Sequence, residues 1–170
     1  MVKSALDSEV DRLVRELAHA VRSTGCTVAT AESLTGGQLA AAVSAAPESG
    51  DWYRGGIVAY HPEVKYELLG TPRGPVVTPE TAETMARSAA ELLGAECSVA
   101  LTGVGGPGPD EGKPAGTVYL ATCRADEGPL VEHFQFDGEP VAVMEQTICA
   151  ALRALIARVR VSDVGADGSR

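Results

Sequence analysis

The stretch Thr27-Val28-Ala29-Thr30-Ala31-Glu32-Ser33-Leu34-Thr35-Gly36-Gly37 joins a short apolar run to an Ala-rich segment with helical spacing. It predicts a strand over residues 26–31 and, after a turn at Ser33, a helix over residues 37–46. Two interpretations of this turn are open. Either Ser33 or Thr35 caps the helix, a position that both residue types favour, or Ser33 is a nucleophile displayed at the strand end.

The rest of the chain continues the alternation of strands and helices. Apolar residues at helical spacing predict a first helix from Ala5 to Ser23 and a last helix that includes Met144 and Ile156. The other predicted elements are helices that begin at Pro62 and Pro79 and end before Gly70 and Gly94, strands over 55–60, 97–101, 117–123 and 130–136, a loop over 48–51 and a hairpin turn over 126–128. This order predicts an α/β fold with three layers: a mixed, mostly parallel sheet with helices on both faces.

Length and composition fit a single domain. The chain has 170 residues, 45% of them hydrophobic, and we expect one domain over 1–161 followed by a disordered polar tail over 162–170. No run approaches the roughly 18 to 20 apolar residues of a membrane helix, and the acidic N-terminus lacks the features of a secretory signal. The sequence therefore predicts a cytoplasmic protein that does not bind membranes.

Charge and cysteine content exclude further classes of protein. A net charge of −9 and a pI near 4.8 argue against nucleic-acid binding, which usually needs basic clusters. The four cysteines lie far apart in or beside apolar segments, with no local metal-binding spacing. They are predicted to be buried thiols in a reducing compartment, and no metal site is predicted.

Three predicted strands end in chemically suggestive residues: Ser33, Tyr60 and the pair Thr102-Gly103. Because sites in α/β folds gather at the carboxyl ends of strands, we expect these residues to share a crevice. The segment from Thr102 to Pro109 has the glycine spacing of a dinucleotide-binding motif, but its prolines make the required helix improbable. It predicts either a plain connector or a loop whose backbone N–H groups bind an anionic or amide-bearing ligand.

A serine nucleophile needs a base, and the histidines are poorly placed to supply it. His19 lies in the first helix and His133 in a late strand, only His61 lies beside the suggestive segments, and the chain has no Gly-x-Ser-x-Gly motif. Lysine can act as the base when burial or neighbouring groups lower its pKa. Lys65 is the candidate, with Tyr60 to relay a proton or orient a partner; the alternative is that Lys65 is a solvated residue on a short helix.

Four motifs then occur in a fixed order over nearly the whole chain. They are Ala31-Glu32-Ser33-Leu34-Thr35-Gly36-Gly37, Gly55-Gly56-Ile57-Val58-Ala59-Tyr60 running on to Lys65, Val77-Thr78-Pro79-Glu80, and Thr102-Gly103-Val104-Gly105-Gly106-Pro107-Gly108 ending in Lys113-Pro114-Ala115-Gly116. Together they closely resemble the C-terminal domain family of the competence/damage-inducible protein CinA.

The resemblance implies a function. The stand-alone form of that domain hydrolyses nicotinamide mononucleotide to nicotinate mononucleotide and ammonia through a Ser/Lys pair, with neither metal nor cofactor. Carried over, Ser33 is the nucleophile, Lys65 the general base and Tyr60 an assisting group. The implied partner is a small nucleotide, and a homo-oligomer is compatible with the sequence. The residues implied to bind substrate are Glu32, Thr35, Gly36, Gly37, Thr102, Gly103, Gly105, Gly106 and Lys113.

Two points stay open in this prediction. The phosphate of the substrate is expected either at the turn Thr35-Gly36-Gly37 or at the loop from Thr102 to Gly108 with Lys113. The family commonly has an arginine shortly after Phe-x-Gly near the last helix, whereas this chain reads Phe136-Asp137-Gly138-Glu139-Pro140. The alternatives to the amidase are therefore a non-catalytic nucleotide-binding or regulatory module of the same fold, and an amidase for another small amide.

Overall fold

The computed structural model describes residues 5–161, so the predicted tail over 162–170 lies outside the described residues. Helices and strands alternate along this range. Their bounds are α1 (Ala5–Thr24), β1 (Val28–Glu32), α2 (Gln38–Ser44), α3 (Ser49–Trp52), β2 (Tyr53–Val58), α4 (Pro62–Leu69), α5 (Pro79–Leu93), β3 (Cys97–Gly103), β4 (Thr117–Arg124), β5 (Gly128–Gln135) and α6 (Pro140–Arg160).

The five strands form one mixed sheet in the order β2-β1-β3-β4-β5. β1 pairs in parallel with β2 and β3, whereas β4 pairs antiparallel with both β3 and β5. Two of the four strand pairings are thus parallel and two are antiparallel. Four of the five strands still run in one direction, because β4 is antiparallel to β3 and β5 is antiparallel to β4. The mixed sheet is confirmed, and so is the β4–β5 hairpin, which closes with Arg124 opposite Gly128.

Helices cover both faces of the sheet, which confirms the predicted three layers. On one face, α2 and α6 pack on the sheet and α1 packs on α6, through large aliphatic residues such as Leu17, Leu39 and Leu155. On the other face, α5 presents Met85 and a row of alanines to Ala100 and Ala121 of the sheet, with Leu69 of α4 beside them. The small residues let α5 pack closely on the strands, which fixes the position of the helix relative to the sheet.

Helix α6 is long and apolar enough to cross a membrane by length and composition alone. In the fold it is a core helix, because Ile148, Leu152 and Leu155 are buried against α1 and the sheet. Its composition is therefore explained by burial within the domain. The four cysteines, all in the described range, are also buried free thiols, as predicted from their apolar surroundings.

The segment between α2 and β2 differs from its prediction. Residues 48–51 were expected to be a loop, but Ser49–Trp52 forms a single helical turn. Trp52 is the cause, since its ring is buried in the core and its indole N–H donates to the carbonyl of Pro47 at 3.3 Å. Strand β2 then starts at Tyr53, two residues before its predicted start, because Tyr53 pairs with Val28 of β1; the Tyr53 and Thr30 hydroxyls are also hydrogen bonded at 2.7 Å.

Candidate active site

The carboxyl ends of the three parallel strands meet at one cavity, as the sequence predicts. Ser33 follows directly after β1, Tyr60 comes two residues after β2, and Thr102 lies near the end of β3. The cavity has a volume of about 750 Å³. Its wall brings together seven of the predicted site residues, namely Ser33, Tyr60, Lys65, Thr102, Gly103, Gly105 and Gly106.

Lys65 enters this wall from the short helix α4. The helix begins at Pro62 and is capped by His61, whose Nδ1 accepts a hydrogen bond from the N–H of Glu63. Only 1% of Lys65 is exposed, and its Nζ donates to the carbonyl of Tyr60 at 3.2 Å. Burial lowers the pKa of the Lys65 ammonium from its ordinary value, and the nearby Glu111 carboxylate partly offsets this by raising it. The interpretation of Lys65 as a solvated residue is wrong.

Ser33 and Lys65 line the same cavity without a direct bond between them. Ser33 is 8% exposed, and within residues 5–161 its hydroxyl has no hydrogen-bond partner. The side chain of Tyr60 is 70% exposed at the same wall, so Tyr60 contributes two separate groups: a carbonyl that holds Lys65 and a phenol that faces the solvent side of the cavity.

Glu32 holds the turn that carries Ser33. It is fully buried, and its Oε1 accepts hydrogen bonds from the Thr35 hydroxyl at 2.6 Å and the Leu39 N–H at 2.9 Å, while Oε2 accepts from the Ala40 N–H at 2.9 Å. The carboxylate therefore caps α2 from the preceding strand. This corrects the cap interpretation, because neither Ser33 nor Thr35 caps the helix, whose N-cap is Gly37 in the left-handed conformation.

The same bonds bear on the predicted substrate contacts in this turn. Glu32 and the turn residues Thr35, Gly36 and Gly37 lie outside the cavity wall. The N–H groups of Leu39 and Ala40, in the first turn of α2, donate to the Glu32 carboxylate, so they are unavailable to an oxyanion or a phosphate. These four residues support the turn that carries Ser33, and none of them lines the cavity.

The glycine loop after β3 supplies a wall with free backbone donors. The Thr102 hydroxyl donates to the carbonyl of Val76 at 2.8 Å, which fixes the start of the loop. Gly103 is required by packing, since a Cβ there would lie 2.5 Å from the carbonyl oxygen of Thr117. Gly105 and Gly106 differ from it: their N–H groups have no acceptor among residues 5–161, and both residues line the cavity.

Sequence reasoning missed several parts of the wall. Lys113, which was predicted to bind substrate, lies outside it, whereas Asp110 and Glu111 of the same loop line it. The start of α6 closes the cavity through Pro140, Val141 and Met144. Pro140 carried a usable signal, because proline at a first helical position marks where a helix begins. Within the described range, no group of three or more His, Cys, Asp or Glu residues is arranged to hold a metal ion.

Comparison with known proteins identifies the family. The model of the CinA C-terminal domain matches residues 10–159 of this chain. The chain belongs to the CinA C-terminal domain family. A relative in this family is the nicotinamide-nucleotide amidohydrolase PncC of Pseudomonas putida, which is 40% identical over 155 residues that cover 86% of this chain and 95% of the relative.

Other CinA relatives are longer proteins. A CinA-like protein of Geobacter sulfurreducens is 37% identical over 156 residues, covering 88% of this chain and 36% of the relative. The chain thus spans about a third of the length of most of the curated relatives it matches. Among solved structures, a CinA superfamily protein from Klebsiella pneumoniae superposes with a TM-score of 0.84 at 30% identity, over 88% of this chain and 97% of that one.

Proposed function

We propose that this protein hydrolyses the carboxamide of nicotinamide mononucleotide, giving nicotinate mononucleotide and ammonia. The observation that carries the proposal is the burial of Lys65 in the wall that also contains Ser33. An ammonium removed from water loses its proton more readily, which is the property that a lysine base requires. The amidohydrolase name of the relative from Pseudomonas putida, at 40% identity, supports the choice of substrate.

The proposed reaction uses the groups of the wall in two steps. Neutral Lys65 accepts the proton of the Ser33 hydroxyl as Ser33 Oγ bonds to the carboxamide carbon, and the ammonium of Lys65 then protonates the nitrogen that leaves as ammonia. Water hydrolyses the resulting ester, releasing the acid and restoring the Ser33 hydroxyl. Because no hydrogen bond joins Ser33 to Lys65 in the described structure, the proposal requires a side-chain rotation in the substrate complex.

The oxyanion and the phosphate are proposed to meet the glycine loop. The free N–H groups of Gly105 and Gly106 are donors of the kind that stabilise a tetrahedral intermediate. Of the two phosphate sites that the sequence left open, the loop from Thr102 to Gly108 is favoured, because it lines the cavity and the turn at 35–37 does not. Buried thiols at all four cysteines fit the proposed cytoplasmic location.

Ammonia release from nicotinamide mononucleotide tests the proposal. Wild-type protein is expected to release ammonia, while Ser33→Ala and Lys65→Ala reduce the rate by a factor of about a thousand or more, as loss of a nucleophile or base does in other serine hydrolases. Ser44→Ala is the matched control, since its hydroxyl bonds only to the carbonyl of Ala41 on α2. Wild-type protein that binds the nucleotide but releases no ammonia at any pH would contradict the proposal.

One observation favours a second candidate, a nucleotide-binding or regulatory module without turnover. Pro140 occupies the cavity wall in the region where the family commonly has an arginine, and among residues 5–161 the lining contains Lys65 as its one basic side chain beside Asp110 and Glu111. Calorimetric titration with nicotinamide mononucleotide, run beside the ammonia assay, separates the candidates. A panel of other small amides, assayed in the same way, tests the third alternative.

A further inference from the structure

Glu111 has a backbone conformation that its residue type does not favour. Residues 110–113 form a tight turn in which Asp110 and Lys113 exchange two backbone hydrogen bonds, of 3.0 Å and 2.8 Å. Both central residues are left-handed, Glu111 with φ 50° and Gly112 with φ 72°. Glycine, asparagine or aspartate normally occupies such positions. A glutamate there carries a conformational cost, which contacts of its side chain outside the turn can offset.

The side chain of Glu111 reaches a segment more than thirty residues earlier in the chain. Its Oε1 accepts a hydrogen bond from the N–H of Val76 at 2.8 Å, and its Oε2 accepts one from the N–H of Val77 at 2.7 Å. The carbonyl of Val76 accepts a third bond, from the Thr102 hydroxyl. Val76 and Val77 are therefore held from both sides, and together with Glu111 they line the cavity.

The clasp made by Glu111 with Val76 and Val77 connects two walls of the cavity. One is the glycine loop, which carries the free N–H groups of Gly105 and Gly106; the other is the segment that leads into α5 at its N-cap, Thr78. Among the hydrogen bonds of residues 5–161, those from the Val76 and Val77 N–H groups to Glu111 are the ones that join residues 107–113 to another part of the domain. Glu111 is exposed, whereas Val76 and Val77 are buried, so the clasp lies at the border of the core and its carboxylate can leave without unfolding the domain.

We propose that Glu111 is a positioning residue for the amidase reaction, whose carboxylate fixes the glycine loop against the backbone of Val76 and Val77. This inference rests on the proposed function for its kinetic consequences, whereas the clasp itself is a structural statement. The charge of Glu111 has a second effect, because it raises the pKa of Lys65. The other ionisable side chains in the lining are Tyr60 and Asp110.

Amide hydrogen exchange measured by NMR tests the clasp without reference to activity. Glu111→Gln keeps the size of the side chain but leaves one carbonyl oxygen for two donors, so at least one of the Val76 and Val77 N–H groups is expected to exchange at least about tenfold faster than in wild type. Glu91→Gln, an exposed carboxylate on α5 outside the cavity lining, is the matched control and leaves both rates unchanged. Unchanged exchange in Glu111→Gln would overturn the clasp.

A second variant separates the clasp from the turn. Glu111→Gly removes the carboxylate but relieves the left-handed backbone, so its melting temperature is expected to equal or exceed that of Glu111→Gln. Exchange at Val76 and Val77 is nevertheless expected to be at least as fast as in Glu111→Gln. Slow exchange in Glu111→Gly would show that the turn alone positions the loop, and would overturn the role of the carboxylate.

Kinetics decide whether the clasp serves the reaction. Glu111→Gln is expected to lower kcat/KM by about tenfold or more, mainly through kcat, and to move the acidic limb of the pH profile to lower pH because Lys65 loses a negative neighbour. Faster exchange with unchanged kcat/KM would overturn the positioning role and leave Glu111 as a structural residue only. An inactive wild type would instead overturn the proposed function, and the exchange measurement would still decide the clasp.

Discussion

Replacing Glu32 with glutamine distinguishes two roles for this residue. The sequence predicts a substrate contact, whereas the structure shows a buried carboxylate that accepts three hydrogen bonds, from Thr35, Leu39 and Ala40. A glutamine side chain offers one oxygen, so it can retain the bonds to Thr35 and Leu39 only. Its NH₂ group then faces the N–H of Ala40, and a partly buried donor is left without an acceptor.

The size of the effect follows from these bonds. An unsatisfied buried donor costs about 1–3 kcal/mol, and two further bonds lose the strengthening that a charged acceptor provides. We therefore expect Glu32→Gln to lower the free energy of unfolding by about 2–4 kcal/mol. For a domain of this size that corresponds to a fall of roughly 5–15 °C in melting temperature. Thr35→Val, which removes one bond and keeps the shape, is expected to cost roughly 1–2 kcal/mol.

Urea and thermal denaturation, followed by circular dichroism, measure both variants, and the ammonia assay is run on the folded proteins. The structural role predicts a large loss of stability in Glu32→Gln, with Thr35→Val intermediate. A Glu32→Gln protein that melts within about 1 °C of wild type, far inside the expected shift, would refute the reasoning. If its KM for nicotinamide mononucleotide also rose, the original prediction of a substrate contact would be restored.

Three further predictions concern the cavity and its walls. Because burial holds the pKa of Lys65 below its unfolded value near 10.4, the folded state binds fewer protons between the two values, so this group makes stability rise with pH there. The unfolding free energy of wild type minus that of Lys65→Met should therefore increase with pH up to about 10. Urea melts at several pH values measure this difference, and a difference that does not change with pH would contradict the prediction. Tyr60→Phe is expected to leave the melting temperature unchanged, because Lys65 bonds to the carbonyl, so any loss in kcat would report on the phenol alone. Gly103→Ala is expected to cost about 1–3 kcal/mol through its clash with Thr117, whereas Gly108→Ala, which has open space for a methyl group, is expected to be neutral in the same melts.

Much of the fold could be predicted because its elements have local signals. The helix from Pro79 to Leu93 is confirmed with its Thr78 cap, whose hydroxyl accepts a hydrogen bond from the N–H of Thr81. The helical turn at Ser49–Trp52 could not be predicted, because its cause is the burial of Trp52 against residues distant in the chain. Local patterns specify local structure, while burial is decided by the whole domain.

The candidate site follows the same division. The rule that sites lie at the carboxyl ends of strands brings Ser33, Tyr60 and Thr102 together, as the cavity confirms. The burial of Lys65 could not be predicted from the residues around it in the sequence, since a lysine on a short helix normally lies in water. The structural role of Glu32 could not be predicted either, because its partners are the backbone N–H groups of Leu39 and Ala40, and a backbone N–H has no signal in the sequence.

The cavity draws its wall from four separate stretches of chain, around Ser33, from Tyr60 to Val77, from Thr102 to Glu111, and from Pro140 to Met144. No single secondary-structure element, and no two consecutive elements, contain the whole wall of the cavity. Turnover is therefore a reporter of cooperative folding: as denaturant is added, activity should disappear in step with the global transition or ahead of it, and never persist in a partly folded fragment.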